Sequence, residues 1–202
     1  MYRIGIDSLY CRNSIHYFGL NPSEITLEQS ELAPLLLIHG KWHNQGVWIS
    51  IAKTFQEKGI RNPLFTVNLD DDSDNPTPRD YEILETKFKE IKELYSRHQK
   101  EHKIFLCGYS RGGCVAYAFS QHQAFLYRGD VNKVILLGAP PMEAVNRFLE
   151  PYVFRISGLF DLMVPKTPVC EYHNKEIIIS IGHLGLPYSP ECHSTIIFLI
   201  QP

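Results

Sequence analysis

Short apolar runs recur along this chain, and most are followed by a longer stretch whose apolar residues fall at helical spacing. "PLLLIHG" (34–40), "PLFTVNL" (63–69), "KIFLCG" (103–108), "VNKVILLGAPP" (131–141), "YVFRISG" (152–158) and "KEIIISIG" (175–182) read as six strands. None keeps a strict apolar–polar alternation, so each is expected to be covered on both faces. "GVWISIAKTFQEKG" (46–59) reads as a helix closed by a glycine, and "RDYEILETKFKEIKELYSRHQK" (79–100) sets Tyr81, Leu84, Phe88, Ile91 and Leu94 along one face. A third helix is expected from 112 to about 123, and a closing one in "SPECHSTIIFLI" (189–200), opened by proline. Strands and helices in alternation predict an α/β fold: a mostly parallel sheet of about six strands with helices on both faces.

The 202 residues suffice for one good-sized core, so 1–202 is expected to be a single domain. Residues 1–30 are less regular and are expected as an edge hairpin or a segment lying against the surface. Formal charge is −2 with 21% charged residues, which points away from nucleic acid and from a polybasic membrane anchor. No apolar stretch approaches membrane-spanning length, and the N-terminus lacks the pattern of a signal peptide. A cytoplasmic location is expected, with export by a signal-independent route as the alternative. The five cysteines, Cys11, Cys107, Cys114, Cys170 and Cys192, show no C-x-x-C spacing, so no zinc site is expected. Cys107 and Cys114 are expected to pack as small apolar residues and the thiols to be reduced, one disulfide among the others remaining open.

In a parallel sheet the ligand crevice lies at the carboxyl ends of the strands. The residues with chemical potential follow strands here. "GYSRG" (108–112) places Ser110 between two glycines where a strand passes into a helix, the arrangement of a nucleophile elbow. The strained turn pushes the hydroxyl outward, bulkier neighbours would collide, and the N–H groups opening the helix suit a developing oxyanion. A serine needs a base and the base an orienting group, in the order serine, acid, histidine. Asp161 follows the fifth strand and His183 the sixth. Of nine histidines, His193 is the main competitor, but it falls within the closing helix; His173 and Asp130 lie at the wrong ends of strands. Glu143 and Glu150 are substitutes for the acid.

The first strand ends in His39-Gly40-Lys41, a loop that would supply a second oxyanion donor. The backbone amides of Lys41 and Arg111 are the expected pair, Trp42 the alternative donor, and His39 a brace for the loop. Trp42, Tyr109 and Leu184 are expected to line the substrate pocket. "DDDSDN" (70–75) has the opening spacing of a calcium loop, but Asn75 stands where such a loop needs glycine and Tyr81 where it needs glutamate. A solvated loop at the rim of the crevice is the preferred reading. No metal or cofactor is expected.

With these residues in place, the chain resembles the α/β-hydrolase superfamily, and within it the small lipase/esterase group without a large cap domain. "PLLLIHG", "IFLCGYSRGG", "VILLGAPP", "ISGLFDLMVP" and "IGHLGLPYSP" are similar to five successive blocks of that group, over roughly residues 34 to 190. The "GHLGL" block is the most specific for the histidine. The resemblance implies Ser110, Asp161 and His183 as the triad, the same choice as the strand-end argument. The chain departs from the group in its oxyanion loop, which has no second glycine until Gly46. It departs again at Arg111, where many relatives have an apolar residue; its side chain is expected to bias the mouth of the site towards polar or anionic substrates. The short connection from Pro140 to Pro151 leaves no room for a substantial lid. The expected activity is cleavage of a small-molecule or lipid carboxylic ester through an acyl-enzyme. The alternatives are a thioesterase or acyltransferase with the same triad, or a non-catalytic binding protein on the scaffold. Oligomeric state is not legible.

Overall fold

Residue parity within the strands decides the layers. In β1 (Leu35–Ile38), β3 (Ile104–Tyr109) and β4 (Val131–Leu137), Leu35, Leu37, Phe105, Cys107, Tyr109, Ile135 and Leu137 point into one apolar cluster. Leu36, Ile38, Ile104, Leu106, Val134 and Leu136 point into a second cluster on the opposite face. Side chains alternate across a strand, so a strand apolar at every position must be covered twice.

The computed structural model describes residues 19–70, 73–126, 130–141, 153–164 and 176–201. With β2 (Leu64–Val67), β5 (Val153–Gly158) and β6 (Glu176–Ile179), the strands form one six-stranded sheet in the order β2-β1-β3-β4-β5-β6, every pair parallel. A short helix, α1 (Leu27–Ser30), precedes β1. The first cluster is closed by α2 (Ile49–Glu57) and α5 (Pro190–Ile200), the second by α3 (Pro78–Ser96) and α4 (Arg111–Leu126). The α/β expectation therefore holds in strand number, direction and two-sided cover.

The helices start where local chemistry permits. Thr77 and Asp80 form a reciprocal capping box before Pro78, and Ser189 accepts from the Cys192 N–H before Pro190. Leu84, Phe88, Ile91 and Leu94 are buried as the spacing predicted, while Tyr81 is half-buried and packs against the same cluster. Among the described residues two short 3-10 helices, Gln45–Trp48 and His183–Tyr188, depart from the expected elements; the first leads directly into α2. At the sheet edge Leu20 bridges Leu64 in parallel; residues 1–18 of the irregular N-terminal segment lie outside the described residues.

Candidate active site

β3 delivers Ser110 to the carboxyl edge of the sheet, and α4 begins at the next residue. Ser110 has φ +52°, the left-handed conformation that side chains resist. Its N–H donates to Leu137 O at 2.8 Å, which ties the turn to β4. The flanking glycines are a steric necessity. A Cβ on Gly108 would lie 2.2 Å from Gly112 O, and one on Gly112 2.3 Å from Ile38 O.

The loop after β1 lies directly on this turn: a Cβ on Gly40 would stand 3.0 Å from Ser110 Cβ. The loop bends back at Trp42, φ +61°, with His43 N–H donating to Gly40 O. His39 braces it as expected. The Leu69 N–H donates to His39 Nε2 at 2.9 Å, so Nδ1 carries the proton that is given to Gly40 O at 2.8 Å. His43 Nδ1 donates to Lys41 O at 2.9 Å, and its ring stands edge-on to Tyr109. Among the described residues, neither the Lys41 nor the Arg111 N–H is taken up by a turn or loop hydrogen bond.

On the other side, His183 opens the 3-10 turn after β6 and Asp161 follows β5. His183 Nδ1 donates to Asp161 Oδ2 at 2.7 Å, and both side chains are 4% exposed. Asp161 Oδ1 accepts from the Met163 and Val164 amides at 2.9 and 2.8 Å. The carboxylate is thus aimed by its own loop, and the imidazole tautomer is set by the carboxylate. Nε2 is left without a partner among the described residues. No hydrogen bond joins it to the Ser110 hydroxyl here, although both residues line one open cavity of about 1000 Å³. Such contacts are often loose before substrate binds.

Tyr109 forms part of the wall and carries the histidine. Its ring lies 5.1 Å from that of His183, and its hydroxyl donates to His183 O at 3.3 Å. Burial, and then the charge of Asp161, push its phenol up, so it remains a neutral donor. Trp42 and Leu184 also line the cavity and are 75% and 60% exposed. Cys114 lies on the same wall, but burial raises its thiol above the ordinary range and makes it a poor competing nucleophile. Cys107 and Cys192 are buried free thiols too, with Cys192 pushed up to about 12 by burial.

The competing residues lie elsewhere. His193 is buried between Thr54 Oγ1 and Pro187 O, 2.8 Å from each, and does not line the cavity. Asp130 pairs with Lys92 before β4. His173, Glu143, Glu150, Cys11, Cys170 and most of the Pro140–Pro151 connection lie outside the described residues. In "DDDSDN", Asp70 pairs with Arg79 and Asp74 with Lys41; Asp74 and Asn75 stand on the cavity rim.

One expectation is corrected. The Arg111 guanidinium does not offer its charge to the mouth of the site. It is 4% exposed and donates to both oxygens of Asp80, which is fully buried. Its charge is neutralised within the protein. Sequence reading also missed Gly138, at the end of β4, on which the His183–Asp161 pair rests. Its only sequence signal is a lone glycine after an apolar strand.

Comparison with known proteins agrees with this architecture. The family model of the PGAP1-like alpha/beta domain matches residues 29–159. No curated protein matches by sequence. Among solved structures, a gene product of Listeria innocua superposes with TM-score 0.60 at 12% identity, covering 84% of this chain and 94% of its own. A serine hydrolase without lid from Xanthomonas campestris gives 0.59 at 13% identity, with 84% and 82% covered. A candidate lipase from Acinetobacter baumannii AYE gives 0.56 at 12% identity, with 94% of each chain covered. At these identities the structural likeness establishes the α/β-hydrolase fold. Among the described residues no helix is long and apolar enough to cross a membrane.

Proposed function

The chain belongs to the PGAP1-like alpha/beta domain family, and from that premise we propose that it is a serine hydrolase cleaving carboxylic esters through an acyl-enzyme. One observation carries the reading. A histidine–carboxylate pair 2.7 Å long leaves one ring nitrogen without a partner among the described residues, and that histidine lines the same cavity as a serine held on a left-handed turn.

Each residue then has a role. The Ser110 hydroxyl attacks the ester carbonyl carbon while His183 Nε2 takes its proton. Asp161 keeps the other nitrogen protonated and stabilises the imidazolium. The carbonyl oxygen, now carrying the negative charge, is received by the Lys41 and Arg111 amides; one such donor typically supplies about 3 kcal/mol of transition-state stabilisation. Collapse of the tetrahedral intermediate expels the alcohol, which takes the proton from His183. Water, deprotonated by the same nitrogen, then releases the acid and restores Ser110.

Fluorophosphonate labelling followed by peptide mass mapping tests the reading. Modification is expected at Ser110, with Ser110→Ala abolishing both the label and p-nitrophenyl butyrate turnover. An unlabelled wild-type protein, or a label that persists in Ser110→Ala, would overturn it.

A further inference from the structure

The side chains of Lys41 and Arg111, the two residues proposed above as oxyanion donors, reach the same short segment. Lys41 Nζ donates to Asp74 Oδ1 at 2.6 Å. Arg111 Nε donates to Ser73 O; Nη2 donates to Ser73 Oγ at 3.1 Å, Asn75 O at 3.4 Å and Asp80 Oδ2 at 2.7 Å; Nη1 donates to Asp80 Oδ1 at 3.3 Å. Asp80 Oδ2 in turn accepts from the Thr77 N–H and hydroxyl at 2.8 and 3.0 Å, so the carboxylate that holds Arg111 also caps α3. Residues 73–80 are thus tied to the loop after β1 on one side and to the serine turn on the other.

Folding stability alone is a weak account of either tie. A buried arginine–aspartate pair loses hydration on both charges, and well-packed apolar side chains often serve as well. The Lys41–Asp74 pair lies at the surface, the Asp74 side chain being 85% exposed, and such pairs contribute little. What the two ties share is their backbone attachment, at the residues whose N–H groups must converge on a single oxygen.

We propose that residues 73–80 are a clamp that sets the spacing of the Lys41 and Arg111 amides, with Lys41, Asp74, Arg111 and Asp80 as positioning residues. The proposal rests on the hydrolase reading above. Oxyanion donors act over a narrow range of distance, and displacements near 1 Å cost up to about 100-fold in rate. Loosening the clamp should therefore lower kcat and weaken binding of a tetrahedral adduct while leaving KM nearly unchanged.

The surface tie gives the cleaner test, because its variants should fold. Asp74→Ala and Lys41→Met are compared with wild type in p-nitrophenyl butyrate kinetics and in inhibition by an alkyl trifluoromethyl ketone, whose hemiketal oxygen occupies the oxyanion position. Expected are a fall of about two- to fivefold in kcat, an equal loss of ketone affinity and an unchanged KM. The double variant should lose no more than either single one. Raising salt from 0.05 to 0.5 M should lower wild-type kcat and leave Asp74→Ala unaffected, since exposed pairs are screened. Arg111→Lys should retain more activity than Arg111→Leu. Unchanged kcat and ketone affinity in both surface variants, a loss confined to KM, or additive losses in the double variant would overturn the clamp alone. A wild-type protein without Ser110 labelling or ester turnover would overturn the hydrolase reading and the clamp with it.

Discussion

Gly138 packs directly beneath His183: a methyl group on residue 138 would stand 3.1 Å from the ring Nδ1, 3.3 Å from Asp161 Oδ2 and 2.6 Å from Leu186 Cδ1. Residue 138 also has φ +52°. Gly138→Ala therefore imposes left-handed strain and overpacking together, about 2–5 kcal/mol in sum. The collision falls on the bond that orients the imidazole. A drop in kcat of at least about tenfold should accompany the lower unfolding free energy. Urea unfolding and steady-state kinetics on the same preparation check both.

Asp161→Asn should cost far more than its size suggests. The native Oδ1 accepts from the Met163 and Val164 amides, and the asparagine oxygen will keep those two bonds. Its NH₂ then faces His183 Nδ1 and can only donate. The imidazole must turn to the tautomer with the proton on Nε2, the nitrogen that accepts from Ser110 in the proposed mechanism. A loss of about 10⁴-fold in kcat is expected, with the fold intact. Near-native circular dichroism and melting temperature beside the lost turnover would bear this out.

Much of this site was legible because each element leaves a local trace. The elbow is a five-residue pattern between a strand and a helix, and Asp161 and His183 both follow apolar runs. The destination of Arg111 left no such trace. Its partner Asp80 is 31 positions away, and a charged residue after the serine reads equally well as a surface cation. Only the packing of α3 against α4 converts it into a buried ion pair. Gly138 was hidden for a related reason: the atoms that exclude a side chain there come from residues 161, 183 and 186. The 3-10 turn from Gln45 to Trp48 is indistinguishable in sequence from the helix that follows, because Val47 and Trp48 carry the apolar spacing on without a break.

His193 should make stability pH-dependent on the acid side of neutrality. Burial lowers its pKa from 6.5, partly opposed by its bond to Pro187 O. The unfolded chain therefore binds the proton more readily than the folded one. By linkage, the stability from the neutral ring is complete above pH 6.5 and is lost as pH falls from there towards the lower folded value. The slope is at most about 1.4 kcal/mol per pH unit for one such proton. His193→Gln, which keeps a donor for Pro187 O, should flatten this part of the profile. Urea titrations at pH 7.5, 6.5 and 5.5 measure it, and equal slopes in the two proteins would refute the assignment.

Ser110→Gly should trade activity for stability. Ser110 is held at φ +52° by the Leu137 O bond and by the close contacts of the flanking glycines. A left-handed residue with a Cβ costs about 1–2 kcal/mol, and glycine removes that cost while adding unfolded-chain entropy of roughly 0.5–1 kcal/mol. The expected net gain is about 0.5–1 kcal/mol in unfolding free energy, with fluorophosphonate labelling abolished. Ser110→Ala keeps the Cβ and should lose the label without the gain. Comparing the two variants separates the strain of the turn from the loss of the hydroxyl. A Ser110→Gly protein less stable than Ser110→Ala by the glycine entropy alone, about 0.5–1 kcal/mol, would mean that the turn carries no strain for the serine to bear.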